Sequence, residues 1–271
     1  MIKRGDVMHY SVYELIAFFF IYGFLGWVSE VAFAAVEKGK FVNRGFLLGP
    51  ICPIYGVGVV LVTSLLHPLL KYPVLEYVLC VVICSAVELI TGMVLKALFH
   101  ERFWDYSNKK FNIGGYICLT FSLLWGVVCL VILYLLHPAL YVLVQKFPHI
   151  LGIVFLSVFL ITIACDSAVT IIHALKIDKR MKKIDEISEA ICALSNHIGK
   201  EISDKTLLIK EKTEEKSASL NELQKKYKAL IERKDIVHEH LFKSFSNLKK
   251  GKYRSAYEKI LNKKNNRGDN L

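Results

Sequence analysis

Asn43-Arg44-Gly45-Phe46-Leu47-Leu48-Gly49-Pro50 lies between two long apolar runs, and its reading decides how the chain folds. It gathers an amide side chain, a guanidinium, two glycines and a proline where a lipid-embedded chain has to turn or break. A second polar knot lies between the next two apolar runs: Phe103-Trp104-Asp105-Tyr106-Ser107, followed by Phe111-Asn112-Ile113-Gly114-Gly115. Irregular backbone near membrane depth survives only where protein or a wet cavity satisfies its hydrogen bonds. Both knots are therefore the first candidates for function.

The surrounding composition supports a membrane setting. Of 271 residues 54% are hydrophobic, and the mean hydropathy is +0.41, too apolar for an ordinary soluble domain. Charge is unevenly placed: residues 176–271 hold 24 of the 35 Lys/Arg and 15 of the 24 Asp/Glu, which leaves that segment at +9. The chain thus reads as a transmembrane domain over 1–175, a helical cytoplasmic region over 176–250 and a basic flexible tail over 251–271. Seven cysteines form no CxxC and no Cys/His ligand cluster, so no metal site is expected.

About 20 apolar residues are needed to cross a bilayer as a helix. Five segments qualify: Tyr10–Val36, Ile51–Leu66, Val74–Phe99, Ile113–Leu136 and His149–Leu175. The expected fold is an all-α integral membrane protein with about five spans and two polar or re-entrant connections. The second span is shortest and opens at Pro50 and Pro53, so the 41–58 region reads as a candidate re-entrant segment. Lys/Arg bias puts both knots and the tail in the cytoplasm, with the N-terminus outside, because Lys38, Lys40, Arg44, Lys96, Arg102, Lys109 and Lys110 outnumber Lys71 and Lys146. Lys3 and Arg4 run against that bias. They also mimic a secretory signal with Ala32-Phe33-Ala34, but the apolar stretch is too long for a signal core and Glu30 precedes the would-be cleavage site.

The first two spans resemble the third and fourth. Glu30 parallels Glu88, Phe41-Val42-Asn43-Arg44-Gly45 parallels Phe111-Asn112-Ile113-Gly114-Gly115, and Tyr55-Gly56 parallels Trp125-Gly126. This is either a parallel repeat or a chance likeness of two short hairpins.

Glu30, Glu88 and Asp166 fall inside apolar spans, where an ionised carboxylate costs several kcal/mol unless paired or protonated. Arg44 is the natural counter-ion. Asn43, Asn112, Tyr55, Ser122 and Trp125 are the natural hydrogen-bond partners. One reading is a cytoplasm-facing pocket for a cation, a proton or a small polar solute. The other is a structural latch between Arg44 and Glu30 or Glu88. Trp104 and Tyr106 fit an aromatic belt and Asp105 fits a helix cap, yet Asp105 with Lys109, Lys110 and Asn112 also suits an anionic headgroup or phosphate. No HExxH, nucleophile elbow or Walker A loop is present, so ATP would act only through a separate subunit.

Gly26-Trp27-x-x-Glu30, Asn43-Arg44-Gly45-Phe46-Leu47-x-Gly49-Pro50-x-Cys52-Pro53-Ile54-Tyr55-Gly56, Glu88, Trp104-Asp105-Tyr106-Ser107, Phe111-Asn112-Ile113 and Ile117-Cys118 resemble a bacterial multi-pass membrane family, the ABC-transporter type IV permeases. The likeness covers about residues 10–175. It implies a permease role, with Glu30, Asn43, Arg44, Glu88, Trp104, Asp105 and Asn112 on motif positions. Phe103 stands where the family often has a second Trp, and Gly92 where the Glu88 motif varies.

In the tail, Ile177, Ile184, Ile187, Ile191, Leu194 and Ile198 form one apolar seam, and Leu220, Leu223, Tyr227, Leu230, Val237, Leu241 and Leu248 form another. Two helices follow, as an antiparallel hairpin or as a coiled coil with another copy; one long helix with a stutter is the third arrangement. The basic end suits a solvated terminus or anionic lipid; no nucleic-acid-binding fold accompanies it. Three functions follow in order: a permease-like protein binding Glu30, Asn43, Arg44, Tyr55, Glu88, Trp104, Asp105, Asn112, Trp125 and Asp166 to a solute; a membrane-embedded enzyme acting on a lipid-linked or amphipathic substrate; and an anchor working through its helical tail. The expected partners are the lipid bilayer of a cell membrane, a separate nucleotide-binding subunit and further copies of the chain.

Overall fold

The computed structural model describes residues 10–66, 72–204, 210–233, 235–245, 247–250 and 254–260. Lys3, Arg4, His67, Lys71 and most of the basic terminus lie outside the described residues. The chain is all-α apart from one small hairpin: α1 (Val12–Lys38), α2 (Pro53–Leu66), α3 (Pro73–Phe99), β1 (Asn112–Ile113), β2 (Ile117–Cys118), α4 (Leu119–Val131), a π turn (Ile132–Leu136), α5 (His137–Lys146), α6 (His149–Asp204), α7 (Lys210–Glu232), α8 (Ile236–Ser244) and α9 (Asn247–Lys250). Four of these stretches are long and apolar enough to cross a membrane: Val12–Glu37, Pro73–Phe99, Leu119–Lys146 and His149–Ile198.

Local chemistry sets the helix ends. Ser11 caps α1 in a reciprocal box with Glu14, and Gly39 closes it in the left-handed region at φ 65°. Pro73 opens α3 at a position where no amide hydrogen is needed. The span expected over Ile113–Leu136 instead covers Leu119–Lys146. Its start moves because Gly114 and Gly115, at φ 57° and 75°, turn 112–118 into the two-stranded hairpin. Its end moves because the π turn before Pro138 absorbs the missing amide, and the helix continues.

Helix α2 has only 14 residues, about 21 Å at 1.5 Å per residue, against a hydrocarbon core of about 30 Å. The Cys52 amide donates to the carbonyl of Gly23 at 2.9 Å, fifteen residues before α1 ends at Lys38. The loop after α1 therefore climbs back beside it by about 22 Å before α2 begins.

Glycines allow the close approach of α1 and α2. A methyl group on Gly26 would run into the Tyr55 ring, and one on Gly56 would sit 2.5 Å from the Phe19 carbonyl. In α3 and α4 the matching place is Gly126, where a methyl would meet Val81 at 2.5 Å and Tyr77 at 2.7 Å.

Helix α6 runs 56 residues without interruption, through the apolar span and on into the charged segment. Helix α7 returns antiparallel to it: Lys216 approaches His197 at 3.4 Å, while Arg180 donates to the carbonyls of Leu230 and Arg233 at 2.9 and 2.6 Å. This is the hairpin arrangement within one chain. Its turn brings α8 back onto the bundle, where Phe99, Phe103, Met181, Ile184, Leu241 and Phe242 share one buried apolar cluster. The tail and both knots thus occupy the same end of the bundle.

Gly26→Ala and Gly56→Ala should each lower the melting temperature of the detergent-solubilised protein, as overpacking costs about 1–3 kcal/mol. Gly58→Ala, where an added methyl meets nothing within 4 Å, should leave it unchanged.

Candidate functional site

The two knots meet at the ends of α1 and α3. Glu30, on α1, places Oε2 3.3 Å from Arg44 Nε, and its Oε1 accepts the Tyr55 hydroxyl at 2.6 Å. Arg44 also reaches Glu37 at 3.6 Å and lies over the Phe33 ring at 5.6 Å. Tyr55 meets Trp125 of α4 edge to face, with ring centroids 5.6 Å apart. From α3, Glu88 is buried, and Tyr106 of the second knot stacks on Phe121 of α4 at 5.0 Å. Glu30, Arg44, Tyr55 and Trp125 therefore form one cluster, which draws on both hairpins.

The other expected site residues act on the loops themselves. Asn43 accepts the Trp27 indole at 2.7 Å and the Gly45 amide at 3.1 Å, and donates to the Leu48 carbonyl at 2.9 Å. Asp166 of α6 accepts the amides of Leu48 and Gly49 at 3.1 and 2.8 Å and the Thr170 hydroxyl at 3.1 Å. Trp104 donates its indole to the Tyr116 carbonyl at 2.9 Å. Asn112 staples its own turn, donating to Lys109 O at 2.8 Å and accepting from Gly115 N at 3.1 Å. Asp105 is exposed and bonds Ser107 and Arg102. Its hydrogen bond from the Ser107 hydroxyl, aided by Arg102, holds its carboxyl below the usual range. None of these five is aimed at Glu88.

Several participants escaped the sequence reading. Tyr106 was part of the quoted knot, and its place beside a buried carboxylate was the missing fact. Three tail residues engage the knots: His240 Nε2 meets the Gly45 carbonyl at 3.0 Å and Ser244 donates to the Asn43 carbonyl in the first, and the Phe245 ring packs on Phe103 of the second at 4.8 Å. Nothing in the spacing of α8 signals this. The opposite end of the bundle also holds polar groups: Tyr134 donates to fully buried Glu76 at 2.6 Å, and buried His137 bonds Tyr10 and Tyr22 at 2.8 and 3.1 Å. His137 is thus a core residue.

His173, Asp235 and His238 bring ligand-type atoms within 4.8 Å of one another. Their hydrogen bonds oppose metal binding. His238 Nδ1 faces the Arg180 guanidinium at 3.1 Å, which can only donate, so Nε2 carries the proton toward the His173 carbonyl at 2.8 Å. Both ring nitrogens are occupied, and a guanidinium lies beside them.

Burial lowers the values of His238 and His240, against the opposing pull of their carbonyl partners. Their neutral forms therefore stabilise the docked tail above the ordinary imidazole value, and that stabilisation is lost as pH falls through the depressed values. Selective ¹³C-histidine NMR should show two rings, identified by H238Q and H240Q, titrating below the ordinary range, with the melting temperature falling in parallel. Ordinary titration of both would contradict the docking.

The model of the family described as "Putative ABC-transporter type IV" matches residues 17–171, a span that contains every group in the cluster. No curated protein and no solved structure matches the chain. The chain belongs to that family, and it is a transporter-like membrane protein.

Proposed function

We propose that this family member is a permease whose knot-end cluster binds a small polar or charged solute on its way across the membrane. The observation that carries the reading is the meeting of Glu30, Arg44 and Tyr55 from the first hairpin with Trp125 from the second, whose α3 buries Glu88. A guanidinium, a carboxylate and aromatic rings at the seam of two like hairpins can grip a polar solute and let it go when the hairpins shift. Charge bias in the loops supports a cell-membrane orientation with the knots, 176–250 and 251–271 in the cytoplasm and the N-terminus outside. Asn43, Trp104, Asp105, Asn112 and Asp166 serve the site by shaping its loops.

An ATP-driven form would need a separate nucleotide-binding subunit, and the α8-covered knots are the natural place for it to dock. Two other readings have less support. A membrane-embedded enzyme needs two groups around one reacting atom, whereas Asp105 is turned outward onto Ser107 and Arg102. A pure anchor would leave the tail apart from the bundle, whereas α8 is bonded to the first knot.

The test is ligand-induced thermal stabilisation of the full chain in nanodiscs, screened with amino acids, nucleobases, sugars and inorganic ions. One chemical class should raise the melting temperature of the wild type, and Arg44→Gln and Glu30→Gln should stay folded while losing at least tenfold in affinity, about 1.4 kcal/mol. Equal shifts in wild type and variants would place the solute elsewhere, and unfolding of both variants would make Glu30–Arg44 a latch.

A further inference from the structure

Glu30 and Glu88 hold equivalent places in the two hairpins. Gly56 of α2 packs on Phe19, eleven residues before Glu30, and Gly126 of α4 packs on Tyr77, eleven residues before Glu88. Their environments differ. Glu30 takes the Tyr55 hydroxyl, is ion-paired with Arg44 at 3.3 Å and is about a quarter exposed. Glu88 is 9% exposed, and no Lys, Arg or His among the described residues is ion-paired with it. Lys96 and Arg102, nearby in the chain, lie on the Tyr116 ring at 6.0 and 5.1 Å.

One oxygen of Glu88, Oε2, is buried with no partner among the described residues. An ionised carboxylate so placed loses its hydration with little in return, a cost of several kcal/mol. A hard metal ion would need about six oxygens around it. The neighbouring hydroxyls do not offer them, since Ser85 donates to Ser122 at 2.8 Å. A proton needs only the carboxylate itself.

We propose that Glu88 is a proton-binding site: its carboxylate takes a proton in the closed arrangement and returns it to water when the Tyr106 loop lifts. The balance is one proton gained from, and one released to, water at the knot end, with no redox change. The groups facing it are Tyr106 from the second knot and Cys84 on its own helix; beyond Tyr106 lie Cys118 at the start of α4, Tyr55 on α2 and Glu30 on α1. Arg44 is neutralised by Glu30 and Glu37. The two halves of the pseudo-repeat thus divide the work, with a fixed ion pair in one and an exchangeable proton in the other. The role of that proton in moving a solute rests on the permease reading above.

Infrared difference spectroscopy of the full chain in nanodiscs tests this without any solute. A pH step upward should bleach a protonated-carboxyl C=O band in the wild type. Glu88→Gln should remove the Glu88 band, and Glu30→Gln should keep it. Should Glu88→Gln fail to fold, Glu88→Asp must shift the band. Absence of the band from the wild type, its persistence in Glu88→Gln, or an unshifted band in Glu88→Asp overturns the proposal. A missing band with an intact ligand shift removes the proton and leaves the permease reading; an intact band with no ligand shift does the reverse.

Discussion

A non-helical stretch beside the inner part of a membrane-spanning helix can exist only if protein satisfies its amides and carbonyls. The segment from Asn43 to Cys52 meets that constraint from several directions. Asp166 holds the Leu48 and Gly49 amides, Asn43 holds the Gly45 amide and the Leu48 carbonyl, and the Gly23 carbonyl takes the Cys52 amide. From the tail, His240 and Ser244 meet the Gly45 and Asn43 carbonyls. Each buried amide left without a partner would cost about 1–3 kcal/mol, so these contacts fix the loop's path. That path puts Arg44 beside Glu30 and starts α2 where Tyr55 can reach the same carboxylate.

The two hairpins solve one problem twice. In each, a small residue lets the second helix close on the first, and the first helix carries a carboxylate eleven residues beyond that contact. They diverge at the counter-ion, which the first knot supplies as Arg44 and the second does not. Helix α8 then covers this end, joining the tail to the membrane module by hydrogen bonds and by the Phe46, Phe99, Phe103 and Phe245 rings. Any opening of the knots toward that end must displace α8 or carry it along.

Much of this was legible in the residues because it rests on local signals. Apolar runs marked the spans, and the glycines and prolines of the 41–58 region marked a break. That Arg44 would meet Glu30 or Glu88 followed from the cost of burying lone charges, and the fold selects Glu30. What stayed hidden depends on distant contacts. Asp166 read as one more intramembrane charge, and only the fold shows it opposite Leu48 and Gly49, 118 and 117 positions away in the chain. The docking of α8 joins residues about 200 apart, and no periodicity encodes that. The fourth span was expected to end at Leu136, because a π turn that carries the helix past a proline has no sequence signature of its own.

The central claim is that residues 43–52 form a non-helical, protein-satisfied segment pinned by Asp166. Hydrogen–deuterium exchange of the full chain in nanodiscs reads it directly. The account predicts slow exchange across 43–52 despite the absence of helix, and rapid exchange at Leu48 and Gly49 in Asp166→Ala while α1 and α3 stay protected. Free exchange of that stretch in the wild type, at the rate of an open surface loop, would contradict it.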